Sequence, residues 1–217
     1  MGVRTDKDTL ARVAREAQME YGFDDYAALV RHCRSYRRFD EDDPIELGIL
    51  LGLVDCARLS SCGNNMQRLR FHVVSAAEER AAVFATLGWA ALLKDWDGPA
   101  EGKRPTGYVV ILCEGEPSTI RHMDVGIAAQ TILLGATEAG YHGCMLRNFK
   151  PAPLLAACGL GESGLVPELV VALGRAGEEV VLEEADPTGA DGHGLVYWRD
   201  EQGAHHVPKL PLADVLV

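Results

Sequence analysis

Apolar residues recur along this chain at two spacings, and the change from one to the other marks out its elements. Residues 5–20 predict an amphipathic helix, opened by Thr5 with Asp8 three residues on. A short helix is predicted from Asp25 to about His32. "DPIE" predicts another, with Asp43 as N-cap, Pro44 at its first position and Glu46 closing the capping box. Leu47, Leu50, Leu51 and Val54 then share one face, and "RLSSCGNN" is loop chemistry. Apolar runs predict strands at 69–75, 108–113, 141–146, 168–174 and 195–200, with a helix at 78–87. Asp124 is expected to cap a helix over 125–139 that is apolar nearly all round, as suits a central helix or one covered by a partner chain. In it, Gly126 and Gly135 would admit another backbone, and Gly140 is expected to close it. "HHVPKLPLADVLV" is expected to be an extended tail.

Strands and helices mix without strict βαβ alternation. This predicts an α+β fold, one largely antiparallel sheet wrapped by helices. The polar stretch 95–107 is long for a loop in a compact domain, and such loops commonly act as lids or binding loops. Trp89 and Trp96 flank its start and are expected as core and loop anchors. The 217 residues suffice for one domain with a sizeable core. Residues 1–23 are expected as an N-terminal helical arm, and 24–217 as the main domain.

Composition removes some partners. The chain carries 32 Asp and Glu against 21 Lys and Arg, a net charge of −11. That argues against nucleic acid and anionic lipid. No run is long and apolar enough to span a bilayer, and the N-terminus lacks the apolar stretch of a secretory signal. A cytoplasmic location is expected. The six cysteines include no C-x-x-C pair, so neither a zinc ribbon nor a disulfide framework is read. Cys56, Cys113 and Cys144 lie in apolar runs and are expected as buried free thiols. His142 and Cys144 are expected to pack, His205 and His206 to form a surface pair, and no metal is expected.

Against this acidic background, Arg31, Arg34, Arg37 and Arg38 stand together with no acid among them, and "DEDDP" follows. Three readings are open. Arg31, Arg34 and Arg38 could share a solvated helix face. The arginines could pair with the acids downstream. Or guanidinium forks and the Ser35 hydroxyl could hold a phosphate. The loop "SCGNNMQ" is likewise either an Asn- and Gly-rich turn or a site where Asn65 and Gln67 present amides to a heterocycle edge.

In order along the chain, "RSYRRF", "NMQRLRFHVV", "DVGIAAQTILLGATEAGYHGCML", "ELVVALGRAGE" and "HHVPK" resemble the nitroreductase family of FMN-dependent flavoproteins. The resemblance runs from about Asp25 to the C-terminus. It implies a nitroreductase-like fold and an intertwined homodimer with FMN in each of two interface sites. Arg34 and Ser35 would face the phosphate and ribityl chain. Arg37 would lie toward the pyrimidine end of the ring, where positive charge favours the reduced form. Asn65 and Gln67 would contact the ring. Backbone N–H groups near Arg147 and Asn148 would meet flavin N5, and Lys209 the phosphate.

The resemblance also implies chemistry. NADH or NADPH would give a hydride, and a small oxidant such as a nitroaromatic or quinone would take the electrons in a ping-pong cycle. No catalytic side chain is implied. Reductive dehalogenation or flavin modification, as elsewhere in the superfamily, stays open, as does an FMN-binding sensor or store. The chain departs from the family pattern in three places. Cys33 replaces the first Arg of Arg-Arg-Ser, with Arg31 or Arg38 as substitutes. Arg68-Leu69 replaces Pro-Trp after Gln67, and Leu210 replaces the Arg after Lys209. Loop 89–107 is expected over the substrate face of the ring, and the N-terminal helix is expected to clasp the partner subunit.

Overall fold

The computed structural model describes residues 7–20, 22–90, 93, 96–116, 118–186, 188–190 and 192–216. In chain order its elements are α1 (Lys7–Glu20), α2 (Asp24–His32), β1 (Phe39–Asp40), α3 (Leu47–Leu59), β2 (Leu69–Val74), α4 (Ala77–Phe84), β3 (Gly107–Cys113), α5 (Thr119–Glu138), β4 (His142–Leu146), α6 (Pro151–Ala157), β5 (Val166–Ala176), β6 (Val180–Glu184), β7 (Trp198–Arg199), β8 (His205–Lys209) and α7 (Leu212–Val215). They fall into two compact units. One is Cys33–Glu178; the other joins the segment ending at His32 to the segment beginning at Glu179.

β5 is the axis of the 33–178 unit. It pairs antiparallel with β3 along one edge and with β4 and β1 along the other, and β2 adds to β3. Every position of β3 is buried, as in a strand covered on both faces. Val109, Ile111 and Cys113 pack with Leu50 of α3 and Ile132 of α5. Tyr108, Val110 and Leu112 point the other way, to Val83 of α4 and Leu154 of α6. Each fully buried aliphatic side chain contributes roughly 1.5–3 kcal/mol over its exposed state. α3 can approach α5 because position 135 is glycine: a Cβ there would lie 2.8 Å from Leu53. At Gly140, φ is +79° and the chain leaves α5 as expected.

Several element boundaries differ from expectation for a tertiary reason. α3 starts at Leu47, and its N-cap, Glu46, makes no side-chain cap bond. Ile45 is buried and donates its N–H to Thr106 Oγ1 at 3.1 Å, so the chain is not yet helical there. Asp43 instead accepts from Arg175 Nε at 2.8 Å. The inward face of α3 is Leu50, Leu53 and Ala57, while Leu47 and Leu51 are exposed. α5 starts more than a turn before Asp124, capped by Ser118, whose Oγ accepts from Arg121 N–H. Cys113 and Cys144 are buried, but Cys56 is exposed on α3. Among the described residues, no helix is long and apolar enough to cross a membrane.

The other unit carries more structure than its sequence suggests. β8 forms where an extended tail was expected; it pairs parallel with β6 and antiparallel with β7. The strand expected at 195–200 is only the two-residue β7, and α7 follows β8. His205 is buried, and His206 is half-buried, so the pair is not a surface feature. His206 Nδ1 lies 2.9 Å from Glu183 and Nε2 lies 3.2 Å from Asp200. The ring of Trp198 stacks on His206 at 4.1 Å, and His193 stacks on Trp198 at 4.2 Å.

Candidate functional site

The arginine segment is not a helix face. α2 ends at His32, and Ser35 forms a parallel bridge to Gly143 of β4, with Tyr36 N–H donating to the Gly143 carbonyl at 3.0 Å. Gly143 is needed there because a Cβ would lie 2.2 Å from the Ala172 carbonyl oxygen. Glu178 Oε1 accepts from the backbone N–H groups of Arg37, at 2.5 Å, and Arg38, at 3.1 Å. Two of the acids that follow the arginines act elsewhere: Glu41 accepts from Arg104 N–H, and Asp43 pairs with Arg175. Arg34 and Arg37 are half-buried, and Ser35 is exposed. Cys33 is buried, and its Sγ accepts from Gln130 Nε2 of α5 at 3.7 Å. Of the suggested substitutes for the missing arginine, Arg31 belongs to the other unit, where it donates to Gln18 at 3.3 Å.

The loop after α3 makes a short 3-10 turn at Gly63–Asn65. Asn64, Asn65 and Gln67 all take left-handed φ, at 51°, 52° and 50°. Asn tolerates this region; Gln does so at a cost on the order of 1 kcal/mol. Asp124, buried inside α5, accepts the Gly63 N–H at 2.8 Å. A Cβ at Gly63 would lie 2.1 Å from the Ile120 side chain. The amides of Asn65 and Gln67 are exposed, and Arg70 donates to the Gln67 carbonyl at 3.0 Å. A cavity of about 350 Å³ opens beside Gln67, lined also by Cys62, Arg68, Phe71, Asp124 and Ala128 among others. Asp124 and Gln130 stand six residues apart, so α5 carries this loop and the Cys33 segment about 9 Å apart along its axis.

β4 leads directly into Arg147 and Asn148, both exposed. Asn148 is locked to the chain after α4: its carbonyl accepts from Gly88 N–H at 2.7 Å, and its side-chain amide lies where a Gly88 Cβ would be. Arg147 reaches to 3.8 Å from Glu168. Glu168 is buried in a direct ion pair with Arg121, which also donates to the Gly115 carbonyl. Lys209, at the end of β8, is exposed and belongs to the other unit. Seven of the eight expected site residues therefore fall within the 33–178 unit.

Sequence reasoning missed three acids that position this site: Asp124, Glu168 and Glu178. For the first two a signal was present, since a lone carboxylate in an otherwise apolar helix or strand must have a partner. The stretch after Trp89 is pinned where it is described. Trp89 is buried and meets Trp96 edge-on at 6.3 Å, and Gly98, at φ +122°, lies against Trp89. Burial pushes the Cys113 thiol up to about 11 and that of Cys144 up to about 12, so neither is a nucleophile at neutral pH.

The sequence model of the nitroreductase family matches residues 30–175. The chain belongs to the nitroreductase family. No curated protein matches it. Its fold is similar to that of a nitroreductase family protein from Clostridium difficile 630, at 16% identity over 87% of this chain and 95% of that one, with a TM-score of 0.57. It is also similar to an FMN-dependent nitroreductase from Clostridium difficile R20291, at 20% identity over 70% and 87% of the two chains and a TM-score of 0.57. An FMN- and NADPH-dependent nitroreductase, NfnB, from Sphigopyxis sp. strain HMH is 17% identical over 70% and 88%, with a TM-score of 0.56. At these identities the likeness shows the nitroreductase-like α+β fold of helices around an antiparallel sheet.

Proposed function

We propose that this nitroreductase-family chain is an FMN-dependent NAD(P)H oxidoreductase that reduces nitroaromatics, quinones or related small oxidants, and that it works as a homodimer. The carrying observation is the mounting of two segments on one helix. α5 holds the Asn65–Gln67 loop through Asp124 and the Cys33–Arg37 segment through Gln130. The donor chemistry fits FMN: guanidinium and hydroxyl groups suit a phosphate, and exposed amides suit a heterocycle edge. When bound, FMN supplies the transfer of electrons from NAD(P)H to the oxidant.

The chain supplies position and charge. Arg34 and Ser35 would bind the phosphate end. Arg37 would hold positive charge at the pyrimidine end. Asn65 and Gln67 would orient the ring, and main-chain N–H groups at Arg147 and Asn148 would serve its N5 end. The homodimer is supported by apolar surface: Leu47, Leu51, Ile120, Met123 and Ile127 are exposed on α3 and α5. A shallow groove along α5 is lined by Met123, Gly126, Ile127 and Leu134, and a Cβ at Gly126 would meet nothing within 4 Å.

The test is an absorption spectrum of the purified protein, followed by anaerobic NADPH and, separately, NADH. Flavin bands that bleach with either donor are expected. Absence of flavin bands even after addition of FMN would overturn the reading, as would bands that neither donor bleaches. Light scattering is expected to give twice the 23.5 kDa chain mass.

A further inference from the structure

We propose that His72, Glu79 and Cys158 form a binding site for one divalent zinc-type ion on the sheet face away from α5. The three residues come from three elements. His72 lies in the edge strand β2, Glu79 in the first turn of α4, and Cys158 caps the C-terminus of α6. Leu69, Phe71 and Val73 pack toward the α3–α5 core, whereas Val74 packs with Val83, Leu154 and Cys158. The two-residue period of a strand therefore directs His72 toward α4 and α6.

The ligand atoms of the three residues all lie within 4.8 Å of one another, and this is the one such group among the described residues. His72 Nε2 and Glu79 Oε1 are 2.7 Å apart. Tetrahedral zinc ligands bond at about 2.0–2.3 Å, which sets them about 3.5 Å from each other. An ion thus needs the His–Glu pair to open by less than about 1 Å. His72 and Glu79 are each 27% exposed, so an ion can enter and keep a water as its fourth ligand, while Cys158 is buried behind them. One imidazole, one carboxylate and one thiolate suit Zn²⁺. Mg²⁺ and Ca²⁺ prefer all-oxygen shells. His206 shows the contrast, because its two carboxylates sit at opposite ring nitrogens and cannot share an ion. At 72/79/158 the ion would clip an edge strand to the two helices that cover it.

Co²⁺ is the probe. Full-length protein, chelator-stripped and kept reduced, is titrated with Co²⁺ and read in the visible d–d bands to the red of flavin absorption, and in thiolate charge-transfer difference spectra. One equivalent per chain with intense tetrahedral bands is expected, displaced by Zn²⁺. Cys158→Ser is expected to abolish the charge-transfer band and weaken binding by roughly tenfold or more. His72→Gln, at a half-exposed position, should weaken it similarly, and serves if Cys158→Ser does not fold. Cys56→Ser should change nothing. No saturable binding, only weak octahedral bands, bands that persist in Cys158→Ser and His72→Gln, or bands lost in Cys56→Ser would each overturn the proposal.

Discussion

Each unit of this protein contains an ionic cluster, and the two are built differently. In the 33–178 unit, Arg121 and Glu168 have side chains only 3% and 4% exposed and bind each other directly. Arginine is the side chain that keeps a positive charge most firmly when buried. In the other unit, His206 sits between Glu183 and Asp200, with all three side chains partly open to solvent. A histidine can lose its charge near neutrality. Depth decides the choice: a carboxylate sealed from water needs a partner that never deprotonates, whereas a shallower one can share a titrating partner with solvent.

The largest effect is expected from removing the permanent partner. Arg121→Met removes the direct partner of the buried Glu168, leaving only the exposed Arg147 at 3.8 Å and His122 at 3.6 Å, and should cost up to about 3–5 kcal/mol by urea denaturation. The double variant Arg121→Met/Glu168→Leu should recover most of that. A double variant as unstable as the single one would mean that packing, not charge, is at stake.

Asp124 tests an intermediate case, a buried carboxylate held by one backbone N–H. Asp124→Ala orphans Gly63 N–H and should cost about 1–3 kcal/mol. Faster hydrogen exchange at Gly63–Gln67 than in β3 should accompany it; unchanged exchange there would refute the role given to Asp124.

The switchable cluster should show a pH signature of smaller size. The hydrogen bond to Glu183 raises the His206 pKa, partial desolvation opposes it, and the hydrogen bond to Asp200 adds to the rise. The resulting stability is complete below the ordinary value of 6.5 and is lost as pH climbs through the raised one. Asp200 works in the opposite sense. Partial desolvation would raise its pKa, but hydrogen bonds from His206 and from the Ala204 and Gly203 N–H groups lower it below 3.8. Its contribution is therefore lost as pH falls through that lowered value. The melting temperature of wild type should exceed that of His206→Gln most between pH 3.8 and 6.5, with the gap closing at alkaline pH. A gap independent of pH would remove the titrating role.

The smallest effect belongs to charges in open water. Arg58 and Asp55 lie 2.7 Å apart, but are 61% and 58% exposed. Arg58→Ala should change stability by no more than about 0.5 kcal/mol.

The central sheet was legible because β2, β3, β4 and β5 are apolar runs bounded by polar or glycine-containing stretches. The helix starts at Asp43 and Asp124 were misplaced for one shared reason. An N-cap aspartate looks the same in sequence whether it caps its own helix or is drawn off by a distant group, and here Arg175 takes Asp43 and Gly63 takes Asp124. β6 and β8 were not predicted as a pair, because Val180–Glu184 is short and only partly buried, and "HHVPK" carries a proline. The arginine cluster was legible as a cluster, but its extended form depends on Gly143, more than a hundred residues away. The grouping of His72, Glu79 and Cys158 was invisible for the same reason, since no local spacing joins a strand, a helix start and a helix end.

The hold of Asp124 on Gly63 has a mechanical consequence. The turn at Gly63–Asn65 is coupled to α5 by that bond, and the Ile120 side chain occupies the space a larger residue would need. Any slide or tilt of the helix drags the turn along like a follower on a rail. Met123 and Ile127, within a turn of Asp124 and open to contact, are the natural handles on that rail.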